Sequence, residues 1–212
     1  HHGRYAYGNQ PNIAQWNIAC LGQCLLPLIN PERNKAIEIV EEILDEFENA
    51  FRKYWLNGMY KKIGLLENSP DDFSLLEKLL KLMKENESDY TLAFRYLSKI
   101  LDNDNDNSDF TNQFKNDNRI VGWITQWKER VKRQKKSLET IKDSMLKVNP
   151  AYIPRNHRIE QAIYEATKDS NFSEMETLIL LLKNPYTDQK NNIKYMNPPN
   201  QRKNDYQTFC GT

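Results

Sequence analysis

Apolar positions recur at three- and four-residue steps along most of this chain, the spacing of one face of an α-helix. Pro11 suits a first helical turn, where its missing N–H costs nothing. After it, Ile13, Trp16, Cys20, Cys24 and Leu28 share a stripe, and Pro27 and Pro31 are expected to end the element. From Glu32 to about Lys62, Ile37, Val40, Leu44, Phe47, Phe51 and Tyr54 repeat the pattern and predict a rod on the order of 45 Å long. Glu38, Glu41, Glu42, Asp45 and Glu48 lie on its other faces and are expected to meet water.

Ser69-Pro70 reads as cap plus first-turn proline of a helix whose apolar face is Phe73, Leu76, Leu79, Leu80 and Met83. Tyr90, Phe94, Leu97 and Leu101 predict another. An acidic and amide-rich loop, 102–109, separates it from Ile120, Trp123, Ile124, Trp127 and Val131, and Leu138, Ile141, Met145 and Val148 follow. Asn149-Pro150 is a stop signal. Asn156 is placed to cap a helix carrying Ile159, Ala162, Ile163 and Ala166. Ser173 and Glu176 have capping-box spacing before Leu178, Ile179 and Leu182. The last stretch, 184–212, holds Pro185, Pro198, Pro199 and many amides, and reads as an extended, irregular tail. The fold class expected is mainly α.

Composition narrows the function classes. In 212 residues, 39% are hydrophobic and 28% charged, too apolar for wholesale disorder. Seven glycines are few for the turns of a doubly wound α/β fold. A formal charge of +1 gives no electrostatic case for nucleic acid or an anionic membrane as partner. No apolar run of about 18 residues predicts a membrane-spanning helix. Segment 1–10 is polar and aromatic, unlike a signal peptide. Three cysteines, Cys20, Cys24 and Cys210, suit a reducing compartment better than a disulfide framework.

Candidate chemistry is sparse. Asp102, Asp104 and Asp106 have the opening spacing of a calcium loop, but Asn107 stands where the turn needs glycine and Gln113 where it needs a bidentate glutamate. A solvated loop is the reading preferred. Cys20 and Cys24 share a helix face and could form half a zinc site, yet no second ligand pair lies nearby, so both are expected to be buried core residues. Lys128, Arg130, Lys132, Arg133, Lys135 and Lys136 form a basic run beside Trp123 and Trp127. The spacing places the tryptophans on the buried stripe and the cations on a solvated face. His157 lies between Arg155 and Arg158, which disfavour an imidazolium, and no nucleophile is tied to it by spacing. Neither a phosphate-binding glycine loop nor the kinase His-Arg-Asp and Asp-Phe-Gly sets occur.

Three longer strings carry a resemblance. They are Gly3-Arg4-Tyr5-Ala6-Tyr7-Gly8-Asn9-Gln10-Pro11 with Trp16-Asn17, Asn149-Pro150-Ala151-Tyr152-Ile153-Pro154-Arg155-Asn156-His157 leading to Glu160 and Ala162, and Tyr206-Gln207-Thr208-Phe209-Cys210-Gly211-Thr212. Asp89-Tyr90-Thr91 and Trp127 fall between them in order. Together they resemble the selenoprotein O family of protein adenylyltransferases.

The resemblance implies a kinase-like fold that binds ATP with magnesium and transfers AMP to Ser, Thr or Tyr hydroxyls of proteins. It implies that the phosphate-binding, catalytic and metal-binding residues lie N-terminal to the Gly-Arg-Tyr string, so none maps onto this chain. The segment 1–30 is then expected to be the end of the activation segment and a first C-lobe helix. By the same reading 31–148 is the helical C-lobe and extension, 149–183 a helical pair, and 184–212 the tail. Arg4, Tyr5, Asn9 and Gln10 match the activation-segment string, with a structural role in seating it against the first helix; Arg4 touching substrate or phosphate is the other option. Cys210 stands where animal members place selenocysteine, which implies a redox role, and a plain surface cysteine is the alternative. The implied partners are the N-terminal catalytic portion and protein substrates, in the cytoplasm of a bacterium or the mitochondrion of a eukaryote. A self-standing helical interaction module is the competing reading. The fragment reading expects a glycine-bearing nucleotide loop and an Asp-Tyr-Gly-like metal motif encoded in frame before His1; a start codon there would favour the module.

Overall fold

The computed structural model describes residues 6–102 and 107–199. Among them no strand occurs. The chain divides into two compact units, His1–Met59 and Tyr60–Thr212.

In the first unit a 3-10 turn, Tyr7–Asn9, leads into α1, Gln10–Ile29, with Pro11 in its first turn as expected. Pro27 does not stop α1. It sits in the last turn, where the missing N–H removes one bond near an end that frays anyway. The stop is Asn30, extended at φ −153° and ψ 138° because Pro31 disfavours the helical conformation before it. The Asn30 Oδ1 then accepts the Glu32 N–H at 2.8 Å at the start of α2, Arg33–Lys62.

The stripe of α1 that meets α2 is not the one expected. Gly22 abuts Val40 so closely that a Cβ there would lie 2.6 Å from the valine Cγ1. The Gln15 amide donates to Leu44 O at 3.3 Å. Gln15, Ala19, Gly22 and Leu26 are therefore the inner side. No described residue of α1 is buried; Trp16 is 55% exposed and Leu28 83%. Cys20 is half-buried and Cys24 is exposed, which overturns the expectation that both belong to a core. The error has a cause: α1 is uncharged and has apolar residues on every side, so periodicity could not choose a face. On α2 the predicted stripe is half-buried from Ile37 to Phe47, while Phe51 and Tyr54 are exposed, and the five acidic residues face water as expected.

The second unit begins with the last turn of α2, which stops at Gly64. Its φ of +71° ends α2 with Leu65 N–H on Tyr60 O and Gly64 N–H on Lys61 O, a left-handed stop that favours glycine. A Cβ at Gly64 would also come within 2.7 Å of Ile141 and Met145. The helices that follow are α3 (Asp72–Glu85), α4 (Tyr90–Lys99), the short α5 (Ser108–Thr111), α6 (Arg119–Lys132), α7 (Leu138–Leu146), α8 (Asn156–Asp169) and α9 (Ser173–Lys183).

α3 packs on α6. Trp123 and Trp127 are buried there as expected, their rings stacked with centroids 6.0 Å apart. Their indole N–H groups donate to Leu75 O at 2.9 Å and Ile63 O at 2.8 Å, so neither buried donor is left unpaired. α3 begins at Asp72 with Asp71 at the cap position, two residues later than Ser69-Pro70 suggested, and the Asp72 carboxylate reaches back to accept the Ser69 N–H at 2.7 Å. Asp72, 0% exposed, takes the inward place expected of Phe73, which is 42% exposed. Arg130 explains this: it forks onto Asp72 with Nε–Oδ1 2.6 Å and Nη2–Oδ2 3.0 Å, and also donates to Glu67 O.

A second core joins Leu92 of α4, Ala151 and Tyr152 of the loop between α7 and α8, Ala162 of α8, Leu178 and Leu181 of α9, and Tyr195 and Met196. The last two correct the picture of an extended tail. Lys190–Tyr195 forms a 3-10 helix, and Tyr195 donates to Glu174 Oε2 at 2.8 Å. Two apolar residues amid amides gave periodicity too little to read. Two caps also shift. Arg155, not Asn156, precedes α8, and Asn171 Oδ1 takes the Ser173 N–H that the capping box had assigned elsewhere.

Removing one member of a buried ion pair strands the other. Asp72→Asn is expected to cost about 3–5 kcal/mol, a fall in Tm on the order of 10 °C. A thermal melt within 2–3 °C of the parent, roughly 1 kcal/mol, would contradict that.

Candidate functional site

Two of the strings singled out in the sequence meet in space. Asp89 begins α4, where its Oδ1 accepts the Leu92 N–H at 2.9 Å. Its carboxylate also receives the Arg155 fork, Nη1–Oδ2 2.8 Å and Nη2–Oδ1 3.1 Å. Arg155 is buried, so one carboxylate both caps a helix and compensates a desolvated guanidinium.

The loop between α7 and α8 is satisfied from four directions. The Asn149 side chain donates to Lys62 O at 2.8 Å and accepts from Lys62 Nζ at 3.3 Å. The Asn149 carbonyl accepts from Arg95 Nη1 at 2.9 Å. The Ala151 and Tyr152 N–H groups share Pro185 O at 2.7 and 3.1 Å. The Tyr152 hydroxyl pairs with Gln189, accepting its N–H at 3.0 Å and donating to its carbonyl at 3.2 Å. Arg95 also reaches Asp188 with Nη2–Oδ1 3.0 Å. The segment after α9 is thereby strapped to α4 and to this loop.

Burial pushes the Lys62 ammonium pKa down. It meets the Val148 carbonyl, the Asn149 side-chain oxygen and the rings of Tyr90 and Phe94, with centroids at 5.9 and 5.4 Å. Tyr96 is pushed up, by burial first and then by Asp109, Asp188 and Asp89, while Arg155 opposes. His157 is half-buried and pushed down, by burial first and then by Arg158 and Arg155, with Glu174 opposing. Arg158 stacks over Tyr195 at 5.0 Å and donates to Lys194 O at 3.2 Å. Lys62, Arg95, Arg155 and Arg158 are thus engaged by carbonyls, carboxylates and rings of the fold.

The other sequence candidates are not gathered here. Arg4, Tyr5 and Cys210 lie outside the described residues. Asn9 and Gln10 are exposed at the start of α1. Asp104 and Asp106 lie outside the described residues, and Asp102 is paired with Lys142. Among the described residues no group of three or more His, Cys, Asp or Glu could hold a metal. Of the basic run, Lys132, Arg133, Lys135 and Lys136 are exposed as expected, Lys128 is half-buried, and Arg130 is taken by Asp72. Sequence reasoning missed the roles of Asp72, Arg95 and Gln134. Gln134 is buried, accepting the Leu66 and Glu67 N–H groups and donating to Gly64 O at 2.8 Å. Its signal was present: it lies three residues beyond Val131, on the tryptophan stripe.

The comparisons give this helical scaffold its class. The sequence matches the family described as "Protein adenylyltransferase SelO" over residues 1–183. The chain belongs to that family. Among similar curated proteins, the "Protein nucleotidyltransferase YdiU" of Rhizobium rhizogenes is 43% identical over 210 residues, covering 99% of this chain and 42% of that protein. The protein of the same name from Agrobacterium fabrum is 42% identical over 99% of this chain and 43% of its own length. That from Brevibacillus brevis is 40% identical over 99% and 41%. The chain thus spans about two fifths of the length of the curated relatives it matches. Among the described residues no helix is long and apolar enough to cross a membrane.

Arg155→Ala is expected to destabilise by about 3 kcal/mol, because it leaves Asp89 without its fork. In a double-mutant cycle with Asp89→Asn the coupling should exceed the roughly 1 kcal/mol ceiling of exposed pairs. Coupling near zero would show the fork to be idle. For His157 the sign follows from its lowered pKa: below about pH 6.5 the unfolded imidazole binds a proton that the folded one resists. The stability it contributes is full above that pH and is lost as pH falls. His157→Gln should flatten the decline in Tm between pH 7 and 5; superimposable profiles would refute this.

Proposed function

We propose that this chain is the helical C-terminal portion of a protein adenylyltransferase. The parent takes ATP with magnesium and forms a phosphodiester between AMP and a Ser, Thr or Tyr hydroxyl of a protein, with pyrophosphate leaving. This portion supports the catalytic part and does not itself carry the chemistry. Family membership supports the reaction class.

One observation carries the supporting role. The buried charged side chains among the described residues are Asp72, Arg95, Arg155 and Glu174. Each is engaged within the chain, by Arg130, Asp188, Asp89 and Tyr195 respectively. A triphosphate needs convergent cations, a metal and a carboxylate, and among the described residues no group of three or more His, Cys, Asp or Glu could hold the metal. On this reading magnesium and ATP belong to the remainder of the parent, which is the chain's first partner, with protein substrates as its second. On the same reading Arg4, Tyr5, Asn9 and Gln10 close the activation segment, and Cys210 is the redox-active position of the tail.

The isolated chain is expected to show no magnesium-dependent ATP binding by isothermal titration and no transfer of labelled AMP to protein. Micromolar binding, or label on a protein acceptor, would overturn the supporting role.

A further inference from the structure

No Asp, Glu, Lys or Arg occurs between Arg4 and Glu32, and α1 fills most of that span. A helix without charge and with apolar residues on every side is suited to a core. Here α2 covers one side only, the stripe Gln15, Ala19, Gly22 and Leu26. At 100° per residue, Leu21, Cys24 and Leu28 lie on the opposite side. Leu21 is 58% exposed, and Leu25 and Trp16 at the flanks of that side are exposed too. Contiguous apolar surface of this kind marks an interface.

The occupant follows from length and charge. More than half of each curated relative lies outside the part this chain matches. The open side of α1 carries no charge to pair with an acidic or basic surface, so what covers it is apolar. We infer that the open side of α1 is the docking face for the portion of the family polypeptide outside this chain, which closes over Leu21, Cys24 and Leu28 to complete one apolar core. The inference rests on family membership and not on adenylyl transfer, so loss of the activity would leave it standing.

Cys24 reports on this face directly. Its alkylation rate, read by peptide mass spectrometry apart from Cys20 and Cys210, is compared in two proteins. One is the 212-residue chain. The other is the same chain joined, in the relative's order, to the part of the Rhizobium rhizogenes protein it does not match. Cys24 should label freely in the first and about tenfold or more slowly in the second, the factor for a covered form outnumbering the open one by ten to one. Leu28→Glu in the joined protein should restore fast labelling, with amide exchange in α3 and α6 unchanged as the sign that the second unit is intact. Equal labelling in both proteins would overturn the inference. So would protection of Cys24 in the 212-residue chain as a monomer, where another part of the same chain is the cover. Protection in that chain as a dimer would overturn it as well, because a second copy would then be the occupant.

Discussion

An irregular segment can be buried only if each polar group it carries inward finds a partner. Between Asn149 and Arg155 that condition is met for Asn149, the Ala151 and Tyr152 N–H groups and the terminal nitrogens of Arg155, with side chains and carbonyls drawn from α2, α4 and the segment after α9. Their satisfaction fixes where those elements can be. Arg155 locks the start of α4, Asn149 locks the end of α2, and Pro185 O locks the return of the chain after α9. The apolar cluster around Tyr152 then fills the space these bonds define. Packing gives this unit its stability, but the loop gives it a single arrangement.

Charge is used the same way throughout the second unit. Asp72 and Arg130 are placed on facing helices and desolvated together, and Arg95 joins α4 to Asp188. Forked guanidinium contacts specify an orientation as well as a distance, which lysine could not do. Such directional fixing contributes more to a single arrangement than the modest net energy of an ion pair contributes to stability. The first unit is built on the opposite plan, with close backbone approach at Gly22 and an uncharged helix that has surface to spare.

Much of this was legible from periodicity. The long α2, the tryptophan stripe of α6, and the helical character of the whole came directly from three- and four-residue spacing, because helix–helix burial produces that spacing. The failures have one origin as well. Periodicity reads apolar side chains, so it could not see Asp72 or Gln134 facing inward, nor choose a face on α1, where apolar residues lie on every side. The strings Asn149–His157 and Asp89–Thr91 were recognisable as words, but that they touch is a property of the fold. Their pairing could be suspected only from charge: an arginine and an aspartate, each at a helix start.

Tyr195 and Met196 have a practical bearing on where this polypeptide can be cut. They plug the cluster formed by α4, α8 and α9, so a chain ending soon after Lys183 would lose two core side chains and expose the rest of that cluster to water. Shortened versions intended for crystallisation or for limited digestion are best ended beyond Pro199, and a protease that reaches the 190–196 segment first would loosen the helical pair before touching the tryptophan core.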